Sequence, residues 1–200
     1  MQNYERYKKE TTQSFEKKEL MDYLVRICSD RVLLPVIDEI KGKKILDVGL
    51  GTGGYTKLLL KNNEVVGIDK NPHLCQLPIE VHQGDATQLV EIAGKGNFDI
   101  VFSTWMTEYL NQKQLNVFFS QARLVLRENG QLITTIISKY GFGWLYITAA
   151  KIIRGISKYN YNKKQVADML KTAGFNEIEI INLNSWLDIP WAYLVKANKF

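Results

Sequence analysis

Two hundred residues, 46% of them hydrophobic and 24% charged, suffice for one sizeable domain with a full core and exclude a chain disordered throughout. The longest charge-free apolar stretch, Tyr140 to Ala150, falls far short of the roughly 20 residues a membrane-spanning helix needs. The net charge of +5 invites an anionic partner (nucleic acid, membrane surface or acidic substrate), yet is modest for a dedicated nucleic-acid binder.

The opening residues, MQNYERYKKE, hold no apolar run, so no signal peptide is expected there. Thr11, Thr12 and Ser14 offer helix N-caps, and Phe15, Leu20, Met21, Leu24, Val25, Ile27 and Cys28 recur at helical spacing. A second, short helix is expected over Arg31 to Ile40, with Pro35 in its first turns. Residues 1–40 thus read as an N-terminal helical cap, and Lys41-Gly42-Lys43-Lys44 breaks it from a core over residues 41–200. Two cysteines, Cys28 and Cys75, are too few for a disulfide framework or a zinc cluster. No metal is expected, and a reducing, cytoplasmic setting is the default.

In the core, apolar runs alternate with helical stretches. Strands are expected at Lys44–Val48, Val65–Ile68, Ile79–Gln83, Phe98–Ser103, Gln131–Ser138, Glu177–Asn182 and Trp191–Ala197. Helices are expected at Gly54–Leu60, His73–Leu77, Thr87–Ile92, Asn111–Arg127 and Lys163–Thr172. Strands separated by helices predict an α/β fold: a seven-stranded, mostly parallel sheet covered on both faces. The link Leu183–Pro190 is too short for a parallel crossover, so the last strand should be antiparallel.

The most informative stretch is Asp47-Val48-Gly49-Leu50-Gly51-Thr52-Gly53-Gly54, where an apolar strand runs into four glycines and then a helix. Glycine permits a tight turn and close approach of a ligand, and the carboxyl end of a parallel strand is where α/β sheets bind ligands. Gly49, Gly51 and Gly54 also satisfy the dinucleotide fingerprint G-x-G-x-x-G, so a nicotinamide-dependent oxidoreductase is one alternative. Against it stands Asp47, whose carboxylate would face a pyrophosphate. An acid here suits a ligand with an ammonium group and no phosphate. Asp69, at the tip of the second strand, can accept both ribose hydroxyls. Asp85, at the tip of the third, can accept an adenine amino group, with Ala86 leaving room beside it.

These residues resemble the class I S-adenosylmethionine (SAM)-dependent methyltransferase family. Asp47–Gly53 is similar to its first motif, Asp69 to its ribose-binding acid and Asp85-Ala86 to its adenine-side motif. Phe98–Ser103, Arg123–Leu132 and Lys171–Phe175 are similar to later segments in the family's order, so the likeness spans roughly residues 41–197. The resemblance implies SAM as cofactor. It places Gly49 and Gly51 against the methionine part and ribose, with Gly53 also binding the cofactor, Asp47 toward the ammonium, and the stem of Lys70 on adenine. Ser103 and Trp105 would border the methyl-transfer pocket.

The segment Ser103-Thr104-Trp105-Met106 lacks the Asn/Asp-Pro-Pro-Tyr of adenine and amide methylases, and neither cysteine is placed for cytosine-C5 chemistry. A small-molecule or lipid-like acceptor methylated at O or N is therefore favoured, with RNA as the alternative. A base could come from His73, Glu108, Tyr109, Tyr4 or Tyr7, none of which stands out. His82 alternates within a strand and reads as structural. Residues 139–162 form an insertion holding Tyr140, Phe142, Trp144, Tyr146, Tyr159 and Tyr161. Within it Leu145, Ala149, Ile152, Ile153 and Ile156 make an apolar stripe, read either as core packing or as one face of a pocket or membrane contact. Lys139 to Lys171 holds seven Lys or Arg against one acid, Asp168, so the excess charge is local and the acceptor could be anionic.

Overall fold

The computed structural model describes residues 20–155, 157–184 and 188–200, with backbone alone for 20–28, 150, 153 and 154. Thr11, Thr12, Ser14, Phe15, Tyr4 and Tyr7 lie outside the described residues. One helix, α1 (Leu20–Glu39), replaces the two expected. Pro35 lies inside it without ending it. Proline removes one backbone hydrogen bond, while Leu33, Ile37 and Ile40 are buried on the face that meets the sheet.

There follow β1 (Lys44–Val48), α2 (Thr56–Leu59), β2 (Glu64–Asp69), β3 (Val81–Gln83), α3 (Leu89–Ala93) and β4 (Phe98–Ser103). Then come α4 (Gln112–Val125), β5 (Leu126–Ile137), α5 (Phe142–Arg154), α6 (Lys163–Thr172), β6 (Asn176–Asn184) and β7 (Pro190–Asn198). The seven strands form one sheet in the order β3-β2-β1-β4-β5-β7-β6. The first five pair in parallel, and β7 runs antiparallel to both its neighbours, as expected of the last strand. β5 begins at Leu126 rather than Gln131, bending where Asn129 takes a left-handed backbone, φ 60°.

The two faces carry separate cores. Leu33, Ile37, Ile45, Leu59, Phe102, Ile137 and Leu194 fill one, beneath α1 and α2. Leu46, Val101, Phe118, Phe119, Leu132 and Leu170 fill the other, beneath α4 and α6. The chain passes from β1 outward to β2 and β3, then returns to lay β4 on the other side of β1. This reversal opens a crevice above the carboxyl ends of β1 and β4.

The insertion leaves β5 at Ser138 and returns beside it. Ser138 and Tyr161 form a parallel bridge, Lys139 N donates to Tyr161 O, and Tyr161 OH donates to Leu110 O at 2.9 Å. Gly143, in the first turn of α5, lies directly on the sheet. A Cβ there would sit 2.3 Å from Ser138 O and 2.4 Å from Trp191 O, both backbone atoms that cannot swing aside. Gly143→Ala is therefore expected to push α5 off β5 and β7 and to cost about 1–3 kcal/mol in urea-unfolding stability.

Candidate active site

Every predicted ligand residue up to Asp69 converges on the turn after β1. Gly49, Gly51 and Gly53 all have left-handed backbones, φ 74°, 57° and 79°. Gly49 N donates to Ile68 O at 2.7 Å, and Gly51 N donates to Asp69 Oδ2 at 2.9 Å, so the turn is tied down to the tip of β2. Asp69 Oδ1 also accepts from Asn71 N at 2.7 Å. A Cβ on Gly49 would meet Met106 Cγ at 2.4 Å, which brings the loop after β4 against the loop after β1.

Asp47 is buried on β1 between Gly67 and Phe102 of the neighbouring strands. Thr56 Oγ1 donates to its Oδ2 at 2.7 Å. Burial first, and the charge of Asp69 after it, raise its pKa from 3.8 to about 7, against the partial downward pull of the Thr56 hydrogen bond. No Lys, Arg or His pairs with it among the described residues. A carboxylate buried without a cation is costly. Such a site suits a ligand that brings its own positive charge.

Asp85 is held differently. Its Oδ1 accepts from Thr87 N at 2.9 Å and Thr87 Oγ1 at 2.8 Å, capping the turn Ala86–Gln88, and its Oδ2 pairs with Lys70 Nζ at 2.7 Å. Burial pushes its pKa up, but Lys70 and Thr87 outweigh that and leave it below the ordinary carboxylate value. Lys70 thus reaches the adjacent strand tip, which its position alone did not predict. Ala86 is buried in the core under α4.

On the other side of the crevice, Ser103 is fully buried and its Oγ has no partner. Trp105 has a left-handed backbone, φ 57°, a conformation that costs a bulky residue about 1–3 kcal/mol. Two contacts hold it there. Its N donates to Thr135 Oγ1 at 2.8 Å, and its ring stacks on Trp191 at 4.8 Å between centroids. The Nε1 atoms of both indoles are buried and unpartnered.

Of the possible bases among the described residues, Glu108 is the one buried against this region. Its Oε1 lies 3.6 Å from Lys158 Nζ, and its Oε2 has no partner. Lys158 Nζ also lies 4.9 Å from the Tyr109 ring centroid and 4.6 Å from that of Tyr146. Tyr159 N donates to Glu108 O at 2.7 Å, so the returning arm of the insertion is fastened to the turn after β4. His73 is exposed, and His82 pairs with Glu80 at 3.1 Å. Lys158 is thus an internal group, unlike the exposed Lys139 and Lys151 of the same basic segment.

Thr56, Met106, Thr135 and Trp191 are site residues that sequence reasoning missed. Nothing in the local pattern singles them out, because each acts through a partner outside its own strand, helix or loop.

Residues 46–134 match the family model described as a methyltransferase domain. The ribosomal protein L11 methyltransferase of Bacillus subtilis (strain 168) is 24% identical over 159 residues, covering 74% of this chain and 43% of that one. The chain therefore spans less than half the length of that relative. Among solved structures, a SAM-dependent methyltransferase from Archaeoglobus fulgidus superposes with a TM-score of 0.73 at 15% identity, covering 94% of this chain and 99% of that chain. A 1,6-didemethyltoxoflavin-N1-methyltransferase from Burkholderia thailandensis, bound to its acceptor and S-adenosylhomocysteine, gives 0.70 at 12% identity, covering 99% and 89%. At these identities the structural likeness establishes the fold.

Two expectations follow. Asp47 binds its proton more tightly folded than unfolded, so its carboxyl weakens the fold progressively as pH rises from about 4 to 7. Asp47→Asn should therefore raise the thermal midpoint at pH 8 and leave it nearly unchanged at pH 4. Lys158→Met strands the buried Glu108 carboxylate and should cost about 3–5 kcal/mol by urea unfolding, much of it recovered by Glu108→Gln in the same chain.

Proposed function

We propose that this chain, whose core carries a methyltransferase domain of the class I SAM-dependent family, moves a methyl group from SAM to an oxygen or nitrogen atom of a small-molecule or lipid-like acceptor. The observation that carries the cofactor is the Asp47 carboxylate, buried without a cation beneath the glycine turn. The ammonium group of SAM supplies the missing charge. A dinucleotide pyrophosphate would instead meet the Asp47 carboxylate, which disfavours the oxidoreductase alternative, whereas Asp69 would serve the ribose of either cofactor.

When bound, SAM supplies a methyl group already activated by its sulfonium. The chain's own residues then have four tasks. Gly49, Gly51 and Gly53 let the backbone approach the cofactor, with Asp47 facing the ammonium side. Asp69, oriented by Gly51 N and Asn71 N, keeps lone pairs for the ribose hydroxyls. Asp85, Ala86 and the stem of Lys70 border the adenine. Ser103 and Trp105 close the crevice on the acceptor side and help exclude water from an in-line displacement, which needs positioning more than chemistry.

A small or lipid-like acceptor is supported by the insertion. Its Phe142 and Tyr146 pack against the same core as Trp105 and Trp191, so aromatic rings gather on that side of the sheet. The toxoflavin-precursor enzyme shares this fold and acts on a small molecule, whereas the Bacillus subtilis relative is named for a ribosomal protein.

Calorimetric titration tests the cofactor. Below pH 7 a bound ammonium must expel the proton from Asp47, so SAM should bind about tenfold more tightly at pH 8 than at pH 6. Asp47→Asn should weaken binding and flatten this dependence. No binding of SAM or S-adenosylhomocysteine at either pH would overturn the reading. Radiolabelled methyl transfer into fractionated cell extract then tests the acceptor. Label in the small-molecule or lipid fraction supports the proposal, and label confined to RNA or protein replaces it.

A further inference from the structure

The insertion turns apolar side chains in two opposite directions. Inward, Phe142, Tyr146 and Ile147 of α5 pack against the core, with Gly143 seated on the sheet. Outward, Trp144 is 57% exposed, Leu145 52% and Ile152 77%, and Tyr140 just before the helix is 61% exposed. At 100° per residue, Trp144, Leu145, Thr148, Lys151 and Ile152 share one face. The apolar stripe through Leu145 and Ile152, which could have been core packing, therefore points away from the core at those two residues.

Among the described residues, the only other large apolar side chain more than half exposed is Phe200. Ile189 extends the patch, since its Cγ2 lies 2.8 Å from where a Gly141 Cβ would be. Soluble surfaces scatter such residues singly, and a contiguous apolar patch marks a contact.

The charge around the patch identifies what it contacts. Lys139 and Lys151 are exposed beside it, and no Asp or Glu occurs from Asn129 through Ala167. The acid closest in chain to Ile189 is Asp188, which accepts from Asn184 Nδ2 at 2.7 Å. Two copies of this chain meeting face to face would bring lysines against lysines. An anionic lipid surface complements them. Trp and Tyr favour the level of the lipid headgroups, and a short helix with aromatic and Lys residues on its outer face lies flat there. Among the described residues no helix is long and apolar enough to cross a membrane.

We propose that the outward face of α5, with Tyr140, seats this protein on the surface of an anionic bilayer. Trp144, Leu145 and Ile152 enter the headgroup boundary, and Lys139 and Lys151 pair with lipid phosphates. This surface is independent of the proposed methyl transfer.

Co-sedimentation of the full chain with phosphatidylcholine vesicles, with and without phosphatidylglycerol, tests this. Binding to the anionic vesicles is expected, falling with added salt. Trp144→Ser with Ile152→Ser should lower the partition coefficient at least about tenfold. Lys151→Gln should lower it about fivefold on anionic vesicles. Both variants alter solvent-facing side chains, so their thermal midpoints and SAM titrations should match those of the unaltered chain. Three results would each overturn the proposal: no sedimentation with anionic vesicles, equal sedimentation of the double variant, or a dimer by light scattering that Trp144→Ser abolishes and vesicles do not compete for.

Discussion

A carboxylate without a counter-ion sits where the sheet reverses its strand order. Asp47 occupies β1, the strand from which the chain departs in both directions, and its neighbours Gly67 and Phe102 belong to the strands on either side. Much around it serves to keep that charge in place. Thr56 donates to it from the first turn of α2, and Asp69 fixes the glycine turn above it. The two faces of the sheet bury enough apolar surface to offset the cost. A site that weakens the fold in the absence of its ligand, and is relieved by it, links binding to stability in one residue.

The acceptor side rests on a different kind of contact. The loop after β4 is held by Thr135 beneath, by the Trp105–Trp191 stack beside it and by the insertion above. Glu108 and Lys158 join that loop to the insertion's returning arm across fifty residues of chain. Substitutions within the insertion thus reach the crevice through Lys158, Tyr146 and Tyr159, even where they touch no ligand. Position near the crevice does not make Glu108 a base. It acts first as the partner of a buried ammonium, with one oxygen left over.

The central strands and the glycine turn were legible because buried parallel strands are written as continuous apolar runs, and because a left-handed turn demands glycine. Helix boundaries were less so. Pro35 suggested a first-turn position, yet burial of Leu33 and Ile37 carries α1 through it. Periodicity identified the helix of the insertion but not which side faces inward, since both sides are apolar. The strand-tip acids were legible by position, but their partners were not. Thr56 on Asp47, Lys70 on Asp85 and Lys158 on Glu108 depend on distances across the fold, and a single sequence does not encode those as a local pattern.

The position of β7 has a consequence for how the chain reaches this state. β7 is the last strand in sequence, yet it lies inside the sheet, between β5 and β6. β5 and β6 do not touch as neighbours, so nothing pairs with the outer edge of β5 until residues 190–198 arrive. Chains are made from the N-terminus and fold as they emerge. During synthesis, then, β1 to β5 can assemble with α4 while β6 waits unpaired. The Trp191 half of the stack on Trp105 is therefore supplied only after β1 to β5 have been made.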